Sequence, residues 1–353
     1  MRYGVAAFAV AALLAAPPAS AETVRQQSRR AVDIGDAATV SVQNSRGQIE
    51  VRPSPDRQVH VTALKVIRAA SGRLADKLAA ETQVELLRDG PRYRIRVKYP
   101  KGMSVRVNIW EGINEFTVPR VEMRLIVLAP AGIAIELDGA SVDLSTEGLS
   151  GSQHLETASG DIAIESATGP VTVTTASGDV TVTEARALDV SSVSGDVKIE
   201  QTRGPVSIGT SSGDVSVAGL TDSVEVHTVS GDVSVERAPA GARIRTSSGE
   251  IQLQQVLGRL YASTVSAEIH ATLQGPVREA RLESSSGDVT LALASSASCA
   301  LEMSTSSGDI DVQVPSQTRT VSRRLVTAVV RQGTAPVRVQ TVSGNITVTR
   351  GEP

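Results

Sequence analysis

The chain of 353 residues has little of what most enzymes and metal proteins rely on. It has one cysteine, four histidines and seven aromatic residues, of which only Tyr261 lies beyond position 116. A single thiol, Cys299, excludes a disulfide scaffold and a metal site made of cysteine alone. The histidines His60, His154, His227 and His270 stand far apart, with neither metal-ligand nor Ser–His–Asp spacing. Lys and Arg number 35 against 38 Asp and Glu, for a net charge of -3. That balance provides no basic field, so nucleic acid is not an expected partner. No apolar run after the N-terminus approaches the ~20 residues of a membrane-spanning helix. The mature chain is therefore expected to have no transmembrane segment.

Residues 1–21 read as a cleavable signal peptide. Arg2 supplies the positive start, Val5 to Ala16 the apolar run, and Ala19-Ser20-Ala21 the small-x-small pattern. Cleavage between Ala21 and Glu22 leaves a protein that is periplasmic or secreted.

What the chain does have is a repeat. Ser-Gly-Asp recurs with its glycine at Gly160, Gly178, Gly195, Gly213, Gly231, Gly287 and Gly308. Variants centre on Gly249, Ala267 and Gly344. The steps between centres are 18, 17, 18, 18, 18, 18, 20, 21 and 36 residues. The last step equals two periods, which predicts one coil that has lost its motif. A second punctuation falls near the half period, at Gly169-Pro170, Gly204-Pro205, Asp222-Ser223, Gly258 and Gly275-Pro276. Each repeat therefore holds two strands and two corners.

The corner chemistry is readable. Glycine tolerates φ > 0. The aspartates that follow it, Asp161, Asp179, Asp196, Asp214, Asp232, Asp288 and Asp309, can accept a nearby backbone N–H as turn residues do. Val206, Ile208, Thr210 and Ser212 share one face, and past the corner Val215 and Val217 continue it. A period of two predicts half-buried strands. A constant coil length stacks each strand parallel on its counterpart. The expected fold is an all-β, single-stranded parallel β-solenoid of about 18 residues per coil, and the handedness of parallel crossovers favours right-handed winding. Its inner columns are Val/Ile/Leu, then Thr or Ser (Thr175, Ser192, Thr210, Thr228), then the motif serine. Apolar residues recur at every second position, not every sixth, which argues against a left-handed hexapeptide helix. Cys299 shares parity with Leu301 and Met303, so it is expected inside and inert.

Residues 22–130 differ and read as a β-rich cap, with the solenoid over 131–350. Val40–Val42, Gly47–Val51, Val59–Val61, Val84–Leu87, Tyr93–Val97 and Met123–Leu128 alternate like strands. Ser71–Thr82 carries Leu74, Leu78 and Ala79 at helical spacing with Ser71 as N-cap. A ligand site around Trp110 and Phe116 is the alternative to a simple covering role.

The Ser-Gly-Asp-Val coils resemble the bacterial putative-adhesin family of β-solenoid domains of unknown function. Arg46-Gly47-Gln48-Ile49-Glu50-Val51 and Val127-Leu128-Ala129-Pro130-Ala131-Gly132 extend the resemblance, which covers about residues 38–349. It implies an exported, non-enzymatic structural or binding protein of the cell envelope, with an envelope protein or surface polymer as partner. It transfers no catalytic residue, cofactor or metal ligand, and none is assigned. Two alternatives remain. A polysaccharide-active β-helix enzyme needs a loop-built cleft with convergent acids, whereas the coils from Gly160 to Ala267 vary by one residue. A calcium-loaded repeat carries Gly-Gly-x-Gly-x-Asp nonapeptides, whereas this chain has one glycine per corner.

Stepping by the coil length aligns Glu225, Arg243, Tyr261 and Arg281 in one outward column, with His227, Arg245, Ser263 and Glu283 beside it. Tyr and Arg are enriched at binding hot spots, so Arg243, Arg245, Tyr261 and Arg281 form a candidate partner patch. The alternative is a ladder of weak cross-strand charge pairs. Arg319–Arg331 is expected to be a solvated loop in the degenerate coil.

Overall fold

The computed structural model describes residues 22–35, 37–69, 71–100 and 119–351. The expectations for residues 1–21, Trp110 and Phe116 lie outside the described residues. The fold is all-β with a single helix among the described residues, Gly72–Glu81. That helix buries Ala75, Leu78 and Ala79 against Ile67, Ala69 and Val121. Ser71 is its N-cap in backbone geometry, but the hydroxyl makes no capping hydrogen bond.

Alternating apolar residues bury one side of each strand and leave the other in water. The strands form two ladders, here called front and back. In the front ladder Val206, Val224, Ala242 and Leu260 stand in register on consecutive parallel strands. In the back ladder Val197, Val215, Val233 and Ile251 do the same. All eight are buried, and each fully buried valine contributes about 1.5–3 kcal/mol. The Ser-Gly-Asp corner carries the chain from front to back. The hydrophobic core runs from Ile34 to Val348 and crosses position 130 without a break. Thr39–Pro53 already lies in register on Ala134–Glu147, with Val40 opposite Ile135 and Ile49 opposite Leu144. Beyond it the back ladder continues through Arg120–Ala129 into Gln58–Ala69 and Glu22–Asp33, both antiparallel. The front ladder continues through Arg92–Lys98 into antiparallel Gln83–Asp89.

Space, more than torsion, selects glycine at the motif corner. Gly213 has φ +117°, and a Cβ there would lie 2.1 Å from the carbonyl oxygen of Gly195 in the preceding rung. Gly249, Gly287 and Gly344 do not adopt positive φ, which corrects the torsional expectation at those corners. A Cβ on Gly249 would still meet Gly231 O at 1.9 Å. Rungs stacked ~4.8 Å apart leave no room for one.

The motif serines are exposed, not interior as expected. The threonine column before them is the last one inside. Thr175, Ser192 and Thr210 donate their hydroxyls to the carbonyls of Ser177, Ser194 and Ser212 at 3.1–3.3 Å. That bond turns the serine carbonyl towards the interior and its side chain outward.

The second corner holds a column that glycine spacing did not reveal. Ser166, Glu184, Gln201, Arg237 and Gln255 all adopt left-handed φ between 53° and 63°. Gly148 and Gly219 occupy the equivalent place in other rungs, at 67° and 69°.

The C-terminal stretch departs from chain order. In the front ladder Ala280 pairs with Val337, and Val337 pairs with Leu301. In the back ladder Val289 pairs with Ile346, and Ile346 with Ile310. Residues 336–350 are thus inserted between two rungs that precede them in sequence. The 36-residue step holds no motif-less coil, which corrects its two-period reading. Gln317–Ser322 and Leu325–Val330 instead form an antiparallel hairpin. Its second strand lies antiparallel on Cys299–Ser307. The stretch expected as a solvated loop is therefore largely strand. The cause is its alternation: Val326, Ala328 and Val330 are buried at the end of the front ladder, while Arg323 and Arg324 are exposed. Cys299 is fully buried and unpaired, and burial pushes its thiol up to about 11.

Candidate functional site

The starts of the front strands form a groove of about 720 Å³. Pro170, Ala187, Pro205, Ser223, Gly241, Arg259 and Glu279 mark successive rungs along it, a run of roughly 29 Å at ~4.8 Å per rung. Its floor is apolar, with Val171, Leu188, Val206, Val224 and Leu260. Short corners position it: among the described residues each coil between Pro170 and Arg259 returns to the front ladder within a few residues.

Arg243, Tyr261 and Arg281 of the predicted patch line this groove, and Arg245 stands beside it. The guanidinium carbons of Arg243 and Arg245 each lie 5.2 Å from the centre of the Tyr261 ring, within cation–π range. The Tyr261 hydroxyl donates to Glu283 at 3.4 Å. The charge-pair alternative is present as well. Arg243 lies 3.8 Å from Glu225, and Arg281 pairs with Glu283. That hydrogen bond to Glu283 raises the Arg281 pKa above its ordinary value. Arg259, which column-stepping did not single out, lines the same end of the groove. Among the described residues, neither Arg245 nor Arg259 has a carboxylate partner. The groove carries Asp189 towards one end and, towards the other, Arg243, Arg259 and Arg281 together with Glu225 and Glu279.

The corner aspartates do something else. The backbone N–H of Asp179 donates to Asp161 Oδ1 at 3.0 Å. Asp196 donates to Asp179, Asp214 to Asp196 and Asp232 to Asp214, each at 2.9 Å. Glu250 donates to Asp232 at 2.8 Å. Each carboxylate thus bonds the adjacent rung, not its own turn. Every link places a negative charge on a backbone donor, which offsets repulsion along the column. Among the described residues no cluster of three or more His, Cys, Asp or Glu is arranged to hold a metal. His60, His227 and His270 each contact a nearby carboxylate, at 3.0–3.1 Å. Among the described residues no helix is long and apolar enough to cross a membrane.

The Toastrack DUF4097 family model matches residues 35–200 and again 183–349. The chain belongs to this family. The two matches together span the groove and both ladders apart from Glu22–Asp33 and Arg350. No curated protein matches the chain. Among solved structures, a putative cell adhesion protein from Clostridium sporogenes is 8% identical, covering 93% of this chain and 100% of that one, with a TM-score of 0.21. A putative adhesin from Parabacteroides distasonis is 10% identical, covering 75% and 97%, with a TM-score of 0.34. A putative lipid binding protein from the same organism is 15% identical, covering 92% and 97%, with a TM-score of 0.26.

Proposed function

We propose that this chain is an exported, non-enzymatic, adhesin-like binding protein of the bacterial cell envelope. In this reading it is a right-handed β-solenoid whose front groove seats an envelope protein or surface polymer. The observation that carries the reading is the convergence of Arg243, Arg245, Tyr261 and Arg259 at one end of a groove that crosses successive rungs. Arginine and tyrosine, with tryptophan, are enriched among the residues that dominate binding energy once a partner desolvates them. An extended ligand lying along the rungs would meet an apolar floor and then this cluster of arginines around Tyr261. Export rests on the signal-like residues 1–21, and the partner is sought in that compartment.

The test is a Tyr261→Ala, Arg243→Ala double variant whose fold is checked by circular dichroism. Cross-linking in intact cells should lose the partners that the parent chain recovers. Recovery of the same partners by the folded variant would remove the groove from consideration.

A further inference from the structure

We infer that residues 336–350 are an exchangeable coil, and that a second copy of this chain can supply it. The inference is independent of the groove reading. It starts from the inserted position of the segment, held on both sides by the corner bonds seen from Asp143 to Glu250. The N–H of Asn345 donates to Asp288 Oδ1 at 2.7 Å, and the N–H of Asp309 donates to Asn345 Oδ1 at 3.0 Å. Thr341 donates its hydroxyl to Gly287 O at 3.1 Å, and Val337, Val339, Ile346 and Val348 enter the core.

The rungs on either side match each other. Ala280, Val337 and Leu301 stand in one register, as do Ser286, Ser343 and Ser307. Without the insert, Leu301 would face Ala280 and Asp309 would face Asp288, as neighbouring rungs do elsewhere. The molecule therefore has a slot that can be filled or shut. Shutting it frees a coil with four buried apolar residues and no partner. The place that fits this coil is the same slot in another copy, where every contact is reproduced.

The hinge is short and tight. Five residues, 331–335, carry the chain from the hairpin into the slot. A Cβ on Gly333 would lie 2.1 Å from Cys299 N and from Ser298 C, and Arg331 holds a left-handed φ of 58°. Short, strained hinges favour exchange of identical elements between copies, since only the hinge and the association differ between the two states.

The test uses full chains in a Cys299→Ser background. One preparation carries Glu302→Cys and the other Arg338→Cys, since these two residues are cross-rung neighbours with an ion pair at 2.9 Å. The two are mixed, warmed to the foot of the melting transition, cooled and treated with a short bismaleimide. A covalent heterodimer is expected. A single chain with both cysteines should close on itself, and failure to do so would remove the register on which the inference stands. No heterodimer, with that control closing normally, would overturn the exchange. So would an equal yield when Ser216→Cys, far from the slot, replaces Glu302→Cys. Gly333→Val should raise the dimer share several-fold by forcing the hinge open. Should that variant not fold, deletion of Thr334 shortens the hinge and reads the same effect.

Discussion

The backbone N–H of Asn345 donates to the side chain of Asp288, 57 residues earlier in the chain, at 2.7 Å. Asparagine here takes the place that aspartate holds in most other rungs, and its amide oxygen accepts the next N–H as a carboxylate would. The column thus requires an acceptor more than it requires a charge. Asp196→Asn should leave stability within about 0.5 kcal/mol of the parent. Asp196→Ala should cost about 1 kcal/mol, because the Asp214 N–H loses its acceptor. Urea unfolding of both variants checks this, and equal losses would show that charge dominates.

The same column predicts indifference to calcium. Its carboxylates are already engaged by backbone donors one rung away. Millimolar calcium should leave the melting temperature unchanged. A rise of many degrees that a chelator reverses would make the column a metal site.

Corner glycines separate space from torsion. Gly213→Ala and Gly249→Ala should both destabilise, by roughly 1–3 kcal/mol, although only Gly213 has positive φ. Ser216→Ala, on an exposed position, should lie within about 0.5 kcal/mol. A loss at Gly213 with none at Gly249 would return torsion as the cause.

At the second corner the sign reverses. Gln201 holds φ 57°, a conformation that costs a non-glycine residue roughly 1 kcal/mol or more. Gln201→Gly should stabilise by about 0.5 kcal/mol after the added freedom of the unfolded chain is counted. Chemical denaturation that showed a loss instead would mean the glutamine side chain makes a compensating contact.

Cys299 sets a pH limit. Its folded pKa is raised to about 11 by burial, above the ordinary thiol value of about 8.5. Its contribution is therefore fully present below about pH 8.5 and lost as pH rises through about 11. Parent and Cys299→Ala should show a constant stability difference at neutral pH that shrinks in this alkaline window. A difference that stayed flat to pH 11 would place the thiol in water.

The repeat was legible because parallel stacking forces a constant spacing, and period-two alternation marks which side of Val206–Gly209 or Val215–Ala218 is buried. The outward column through Arg243, Tyr261 and Arg281 followed from the same spacing. The groove did not, since its apolar floor and Arg259 depend on where each strand begins. The left-handed corner was hidden because Ser166, Glu184, Gln201, Arg237 and Gln255 share no residue type. Chain order at the end was hidden for a different reason. Residues 336–350 carry only a close variant of the common motif, Ser343-Gly344-Asn345, so the motif cannot say which neighbours they take. The five-residue return from Val330 and the burial demand of Val326, Ala328 and Val330 decide it.

The antiparallel strands that close the front ladder have a consequence for size. Parallel strands offer evenly spaced, slanted hydrogen bonds, whereas antiparallel partners alternate narrow and wide pairs. Gln83–Asp89 at one end and the Gln317–Val330 hairpin at the other replace the first pattern by the second. Among the described residues, a free rung arriving at either end of the front ladder finds no template of its own kind. The back ladder ends in Ile310–Val312, only three residues long, which leaves little edge to copy there, whereas Glu22–Asp33 at its other end is paired on one side only among the described residues. The front ladder is thus a ruler of inherited length, not a seed for fibre growth.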